Sequence, residues 1–310
     1  MIRKYNIRKL APYFSDKIGS AVSKITSADA EQISEIRLRT GRPVSLSVCG
    51  KEKFLTQSGG LTECEGMAVT ANMNDIEKSF NAVCDYSVHS YGREISEGFI
   101  TIEGGNRVGI CGTAVTENNC IKTLKYISGL NFRISGQAFG CADEICKRYF
   151  NEKPCSMLIV GPPSSGKTTI LKDICRILGS SYKISVIDER GEIGAVYHGV
   201  PQNSVGLMTD IFDGYPKAYG ITSAVRVMSP QIIVCDELGG NDDCEAVLNS
   251  VSTGVKIIAS MHGFTEQAIL SNKGIRQLAE SGMFEYAAVL EGDTVPGKIK
   301  YVKKVVDVIC

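Results

Sequence analysis

Residues 161–169 read GPPSSGKTT, preceded by the apolar run MLIVG and followed by ILKDICRIL, whose apolar residues recur at helical spacing. The stretch fits G-x-x-x-x-G-K-[ST]. Its context, strand then loop then helix, makes the match specific. Gly161, Pro162, Pro163, Ser164, Ser165, Gly166, Lys167, Thr168 and Thr169 form the expected nucleotide-binding loop. Gly166 lets the backbone approach phosphate oxygens, the loop N–H groups point at them, and the following helix adds its positive end. Lys167 is expected at the β- and γ-phosphates and the Thr168 hydroxyl at Mg2+, so ATP and Mg2+ are the implied ligands.

Working outward from this loop, the chain after the breaker NEKP at 151–154 alternates short apolar runs with helical segments: KISVID, QIIVCDE, VKIIASMHG and EYAAVLEG. Continuous apolar runs separated by helices predict an α/β domain with a mainly parallel sheet covered on both faces. The tail GKIKYVKKVVDVI reads as an added edge strand or hairpin. IIVCDE ends in two carboxylates at the carboxyl edge of the sheet, where open α/β sheets bind ligands. Asp236 suits Mg2+ and Glu237 suits polarising the attacking water. Asp188, Glu189 and Glu192 in DERGE close another strand and are expected at the same edge. His262 in SMHG ends a further strand, where a polar residue senses a γ-phosphate.

Before the breaker the character differs. Residues 1–32 look mostly helical, and from 35 to 150 β-like runs such as EIRLRTGRPVSLSV and GFITIEGGNRVGICGTAV alternate with turns and the helical MNDIEKSFNAVCDYS. This predicts a smaller α+β domain over 1–150 and the P-loop domain over 151–310.

Composition bounds the function. Lys plus Arg equals Asp plus Glu at 34 each, and no apolar run approaches a membrane span. The start MIRKYNIRKLAPYF lacks a signal-peptide core, which predicts a cytoplasmic protein meeting a membrane only at its surface. Arg3, Lys4, Arg8 and Lys9 there form either a lipid-touching or a solvated face. Twelve cysteines, from Cys49 to Cys310, show no C-x-x-C pair or zinc spacing, so reduced and partly buried thiols are expected. A nucleic-acid-binding ATPase using the β-rich domain is the rival class, and a nucleotide-dependent scaffold is a third. Neutral charge, 7% aromatics and no Trp leave few stacking platforms, so no nucleic acid is expected.

The order P-loop, VIDERGEI, RVMSPQIIVCDE, SMHG resembles the secretion ATPase branch of the RecA-like P-loop proteins. ISEIRLRTGRPV at 33–44, GFITIEGGNRVGICG at 98–112 and ISGLNFRIS at 127–135 extend the likeness over nearly the whole chain, closest to the stage III sporulation protein AA family. The resemblance implies a RecA-like P-loop ATPase domain behind an α+β N-terminal domain. It also implies a mother-cell motor ATPase, acting with membrane-embedded channel proteins of the complex linking mother cell and forespore. It carries the P-loop roles to Gly161, Gly166, Lys167 and Thr168, the acidic pair to Asp236 and Glu237, the DER-E box to Asp188, Glu189 and Glu192, and the histidine to His262. The family commonly has an arginine after its acidic pair, where this chain has Leu238-Gly239-Gly240-Asn241. Arg226 is assigned to the catalytic set, with bracing of the acidic strand as its expected action. The P-loop domain shows no arginine evidently placed for the γ-phosphate, so a homo-hexameric ring is expected to supply one in trans. Arg107 and Arg133 are open between that role and folding ion pairs.

Overall fold

The computed structural model describes residues 2–250, 253–292 and 296–309, with side chains from Tyr5 onward. The chain forms two compact units, Lys4–Gly136 and Gln137–Cys310 with Met1–Arg3.

The first unit is α+β. Its seven-stranded sheet runs Leu61–Thr62, Lys51–Leu55, Ser45–Val48, Ile33–Arg39, Cys120–Arg133, Asn106–Glu117, Phe99–Ile102, and every pairing is antiparallel. Strand Ile33–Arg39 alternates, burying Ile36 and Leu38 while Glu35, Arg37 and Arg39 face outward, as a sheet with one covered face requires. Helices Asp16–Ser23 and Met73–Val83 contribute Ile18, Val22, Ile76 and Phe80 to the same core. The second of them starts in a capping box between Asn72 and Asp75. The opening segment is less helical than expected, with a strand at Ile2–Lys4 and a 3-10 turn at Ile7–Tyr13. Arg8 donates to Ser27 Oγ at 3.1 Å, whereas the side chains of Arg3 and Lys4 lie outside the described residues.

Arg133 approaches Glu35 at 3.9 Å, and Arg107 lies over the Phe99 ring, 4.9 Å from its centroid. Each of these arginines therefore has a partner within its own unit.

The second unit is α/β. Its sheet runs Thr209–Asp213, Ile184–Asp188, Ile232–Cys235, Lys256–His262, Met157–Gly161, Tyr286–Leu290, Ile299–Lys304. The first six strands are parallel and the tail strand adds antiparallel at the edge, so the sheet is mixed at one end. Residues alternate between two cores on its faces. Leu158, Val160, Ile233 and Ala259 enter one core, and Met157, Ile159, Val234 and Ile258 the other. That is the physical basis of the continuous apolar runs: with both faces covered, neither parity can be polar.

The expected boundary at 150/151 falls inside the second unit. Helix Asp143–Tyr149 buries Ile145 and Cys146 in that unit's core. The Ala142 N–H donates at 2.9 Å to Asp173 of the P-loop helix. NEKP is thus a turn within the unit. No described helix is long and apolar enough to cross a membrane.

Candidate nucleotide-hydrolysing site

The parallel order brings three strand ends, those of Met157–Gly161, Lys256–His262 and Ile232–Cys235, side by side at one sheet edge. Ile184–Asp188 follows on the far side of the acidic strand. The loop after Gly161 turns through left-handed residues Ser164 (φ 62°) and Gly166 (φ 89°) before helix Lys167–Leu178. A Cβ at Gly161 would lie 2.4 Å from Ser165 Oγ, so the first motif glycine is required by the loop's own packing. Ser165 Oγ is buried with no hydrogen-bond partner, and the first amides of a helix have no intrahelical acceptor. These donors fit a polyphosphate.

Lys167 is 7% exposed. Its Nζ donates to the carbonyls of Gly161 and Pro162, both at 2.9 Å, and meets His262 Nδ1 at 3.2 Å. Burial pushes this ammonium below the ordinary lysine value, opposed by the charge of Glu237. An ammonium only donates, so Nδ1 of His262 accepts and its Nε2 carries the proton. Nε2 lies 3.1 Å from Glu237 Oε1, and the other carboxylate oxygen of Glu237 takes Arg190 Nη1 at 2.6 Å. The phosphate-loop lysine and the acidic strand end are joined through one imidazole.

Glu237 has φ 37°, a left-handed conformation that costs a residue with a Cβ about 1–2 kcal/mol. Its N–H donates to Ser260 Oγ at 3.0 Å and its carbonyl accepts from Lys217 Nζ at 3.2 Å. Asp236 is 3% exposed. Burial pushes its carboxyl up to about 6, with Lys217 opposing and the charges of Asp188 and Glu192 adding to the rise. Thr168 Oγ1 lies 3.4 Å from Glu192 Oε2. Thr168 and Asp236 are hard oxygen donors, and no group of three or more His, Cys, Asp or Glu side chains among the described residues forms a closed metal cage. That donor set fits Mg2+, which takes one or two protein oxygens and completes its shell with phosphate and water.

The remaining motif residues divide. Asp188 is fully buried, accepting the Glu192 N–H at 2.8 Å and the Gly194 N–H at 2.7 Å. It shapes the loop that presents Glu192. Glu189 pairs with Lys217 at 3.5 Å.

Arg226 is not brought to this edge. It is exposed near the far end of helix Lys217–Met228, nine residues from Lys217, or about 14 Å along the axis. Among the described residues it makes no ion pair. Arg190 does stand at this edge, with its guanidinium on Glu237. Sequence reasoning missed Lys217 altogether, since a lysine after Gly-Tyr-Pro carries no motif. Its only signal is its place at a strand-to-helix turn on the carboxyl edge.

The described cysteines are free, and Cys84, Cys146, Cys155, Cys175, Cys235 and Cys244 are buried. Cys49, Cys64, Cys111 and Cys120 are exposed and Cys141 is intermediate, so the set is partly covered. Cys310 lies outside the described residues.

Residues 6–306 match the family described as sporulation stage III, protein AA. The chain is 30% identical over 302 residues to stage III sporulation protein AA of Bacillus subtilis (strain 168), covering 96% of this chain and 94% of that protein. Among solved structures it is similar to the pilus retraction motor PilT with bound ADP, at TM-score 0.58 and 14% identity over 84% of this chain and 75% of that one. The Legionella pneumophila ATPase DotB gives TM-score 0.54 and 13% identity, over 84% and 73%. At these identities the two structures show a shared α/β fold. The chain belongs to the sporulation stage III, protein AA family.

Proposed function

We propose that this member of the family is a Mg2+-dependent ATP hydrolase of the secretion-motor kind. Its turnover energises a channel or secretion complex between mother cell and forespore, with the protein in the mother-cell cytoplasm at the face of a membrane. The observation that carries the reading is the chain Lys167–His262–Glu237, with contacts of 3.2 and 3.1 Å. Hydrolysis needs a cation on the γ-phosphate and a carboxylate on the attacking water, and a linkage between them makes the carboxylate's position depend on the phosphate-binding group. The phosphates are held by the Gly161–Thr169 loop. Thr168 and Asp236 would hold Mg2+, which would supply charge neutralisation for the phosphates. Glu237 orients water, while His262 holds the Glu237 carboxylate by its Nε2 proton. The similar structures, those of a pilus retraction motor and an ATPase, agree with this class.

Ring assembly, six subunits by analogy with secretion ATPases, is part of the same proposal. Phosphate release from Mg-ATP, measured over a dilution series with mass followed by light scattering, tests both halves. Turnover per subunit is expected to rise with concentration. Absence of phosphate release at every concentration refutes hydrolysis, and full turnover from a monomer refutes the ring.

A further inference from the structure

Lys217 sits where two effects oppose a lysine. Its side chain is 6% exposed, and it is the first residue of helix Lys217–Met228, whose N-terminal end carries partial positive charge. Burial and dipole together would favour almost any neutral residue unless oxygens compensate the ammonium. They do. Nζ lies 3.2 Å from the Glu237 carbonyl, 3.5 Å from Glu189 Oε2 and 3.9 Å from Asp236 Oδ1. The turn that delivers it is pinned in place: Gly214, at φ 69°, donates its N–H to the Asp188 carbonyl at 3.0 Å, and Pro216 precedes the helix.

The contact with the Glu237 carbonyl matters because that residue's backbone is left-handed. Ser260 holds the N–H side of Glu237 at 3.0 Å and Lys217 the C=O side at 3.2 Å. Together they fix the direction in which the carboxylate leaves the chain, toward His262 and Arg190. Lys217 itself is turned to protein oxygens and almost shielded from solvent, the placement of a group acting through another.

We propose that Lys217 is a positioning residue. It locks the Glu237 peptide in its left-handed conformation, and it serves as the internal counter-charge of Glu189 and Asp236, so that the edge is balanced before a divalent cation enters. The inference rests on the hydrolytic reading of this site.

The test uses the full chain with Lys217→Met and Lys217→Arg, read by turnover, by titration with a fluorescent ATP analogue, by Mn2+ binding followed by electron paramagnetic resonance, and by melting. In Lys217→Met, turnover at saturation is expected to fall at least about tenfold, the scale of a lost positioning group, with affinity for the analogue within about threefold of wild type. Mn2+ should bind at least about fivefold more tightly, the scale of about 1 kcal/mol of repulsion relieved when the positive charge 3.9 Å from Asp236 Oδ1 is removed. Lys217→Arg, which keeps charge and a donor, should recover most of the turnover. A folded Lys217→Met with unchanged turnover overturns the proposal, and so does a loss of turnover matched by an equal loss of nucleotide affinity. Should that variant fail to fold, Lys217→Gln carries the test. It keeps a donor for the carbonyl without the charge, so tighter Mn2+ binding with turnover within about threefold is expected, and unchanged Mn2+ affinity overturns the proposal. If the wild type releases no phosphate, the hydrolytic reading fails, and the Mn2+ titration still decides whether Lys217 balances the edge.

Discussion

His262→Ala removes the imidazole between Lys167 and Glu237, and the structure sets the size of the loss. Two contacts disappear, one of 3.2 Å from an ammonium and one of 3.1 Å to a carboxylate. A hydrogen bond to a charged group contributes about 1.5–3 kcal/mol. His262 is 54% exposed, which places both bonds at the weak end. Lys167 keeps its two carbonyl acceptors, and Glu237 keeps Arg190. One bond's worth of about 1.5 kcal/mol is therefore the expected net loss of transition-state stabilisation, or roughly a tenfold fall in kcat. Nucleotide binding should change little, because the loop backbone and Lys167 are intact. The assay is phosphate release at saturating Mg-ATP beside titration with a fluorescent analogue. A kcat within twofold of wild type would refute the coupling. A large loss of affinity at constant kcat would show that His262 serves Lys167 alone.

Glu237→Gln should bind nucleotide normally yet turn over at least about tenfold more slowly, whereas Glu189→Gln should be milder; the reverse order in the same assay would exchange their roles. A maleimide should label Cys49, Cys64, Cys111 and Cys120 quickly in the native protein and leave Cys146, Cys175 and Cys235 until unfolding, because burial pushes those last thiols up, Cys146 and Cys235 to about 12. Fast labelling at the buried sites under native conditions would contradict the fold. Glu266 accepts from Lys303 and Tyr301, each at 2.5 Å, and these bonds, Lys303 first, hold its carboxyl down to about 2. A depressed carboxyl adds stability above its unfolded value of about 4.3, lost as pH falls toward about 2. The shift is worth about 3 kcal/mol at full strength and about half that for a pair at the rim of the fold. Glu266→Gln should therefore lower the melting point at pH 7 and flatten its decline between pH 5 and 2; an unchanged slope would refute this.

Much of the second unit was legible because its chemistry is backbone chemistry. A parallel sheet buried on both faces must be written as apolar runs, and a phosphate loop must be written with glycines where a Cβ cannot fit, as at Gly161 and Gly166. Asp236, Glu237 and His262 could be placed by arithmetic alone, since each ends a parallel strand and parallel strands end at one edge. Lys217 and Arg190 could not. Lys217 follows a turn whose path over the edge is fixed by the Gly214-to-Asp188 bond, and Arg190 lies in a loop shaped by the buried Asp188. Both are consequences of tertiary structure without a local signature. The boundary at 150/151 failed for a similar reason. A proline-containing turn looks like a linker, and it takes the burial of Ile145 and Cys146 and the Ala142–Asp173 bond to show the preceding helix to be part of the P-loop unit.

The same distinction explains why Asp188 and Glu237, both acidic residues at strand ends, do different work. Asp188 is fully buried and each of its oxygens accepts from a backbone N–H group within six residues of itself, so its oxygens are not available to water. Glu237 is matched instead by side chains, His262 and Arg190, which can exchange partners without unfolding a loop. A carboxylate that is to polarise water must be held in place and still be releasable. Backbone partners give the first property and not the second. By that criterion the proposed role on the attacking water falls to Glu237, whose peptide is fixed by Ser260 and Lys217 while its carboxylate rests on side-chain donors, and Asp188 is part of the frame that holds Glu192 within 3.4 Å of Thr168.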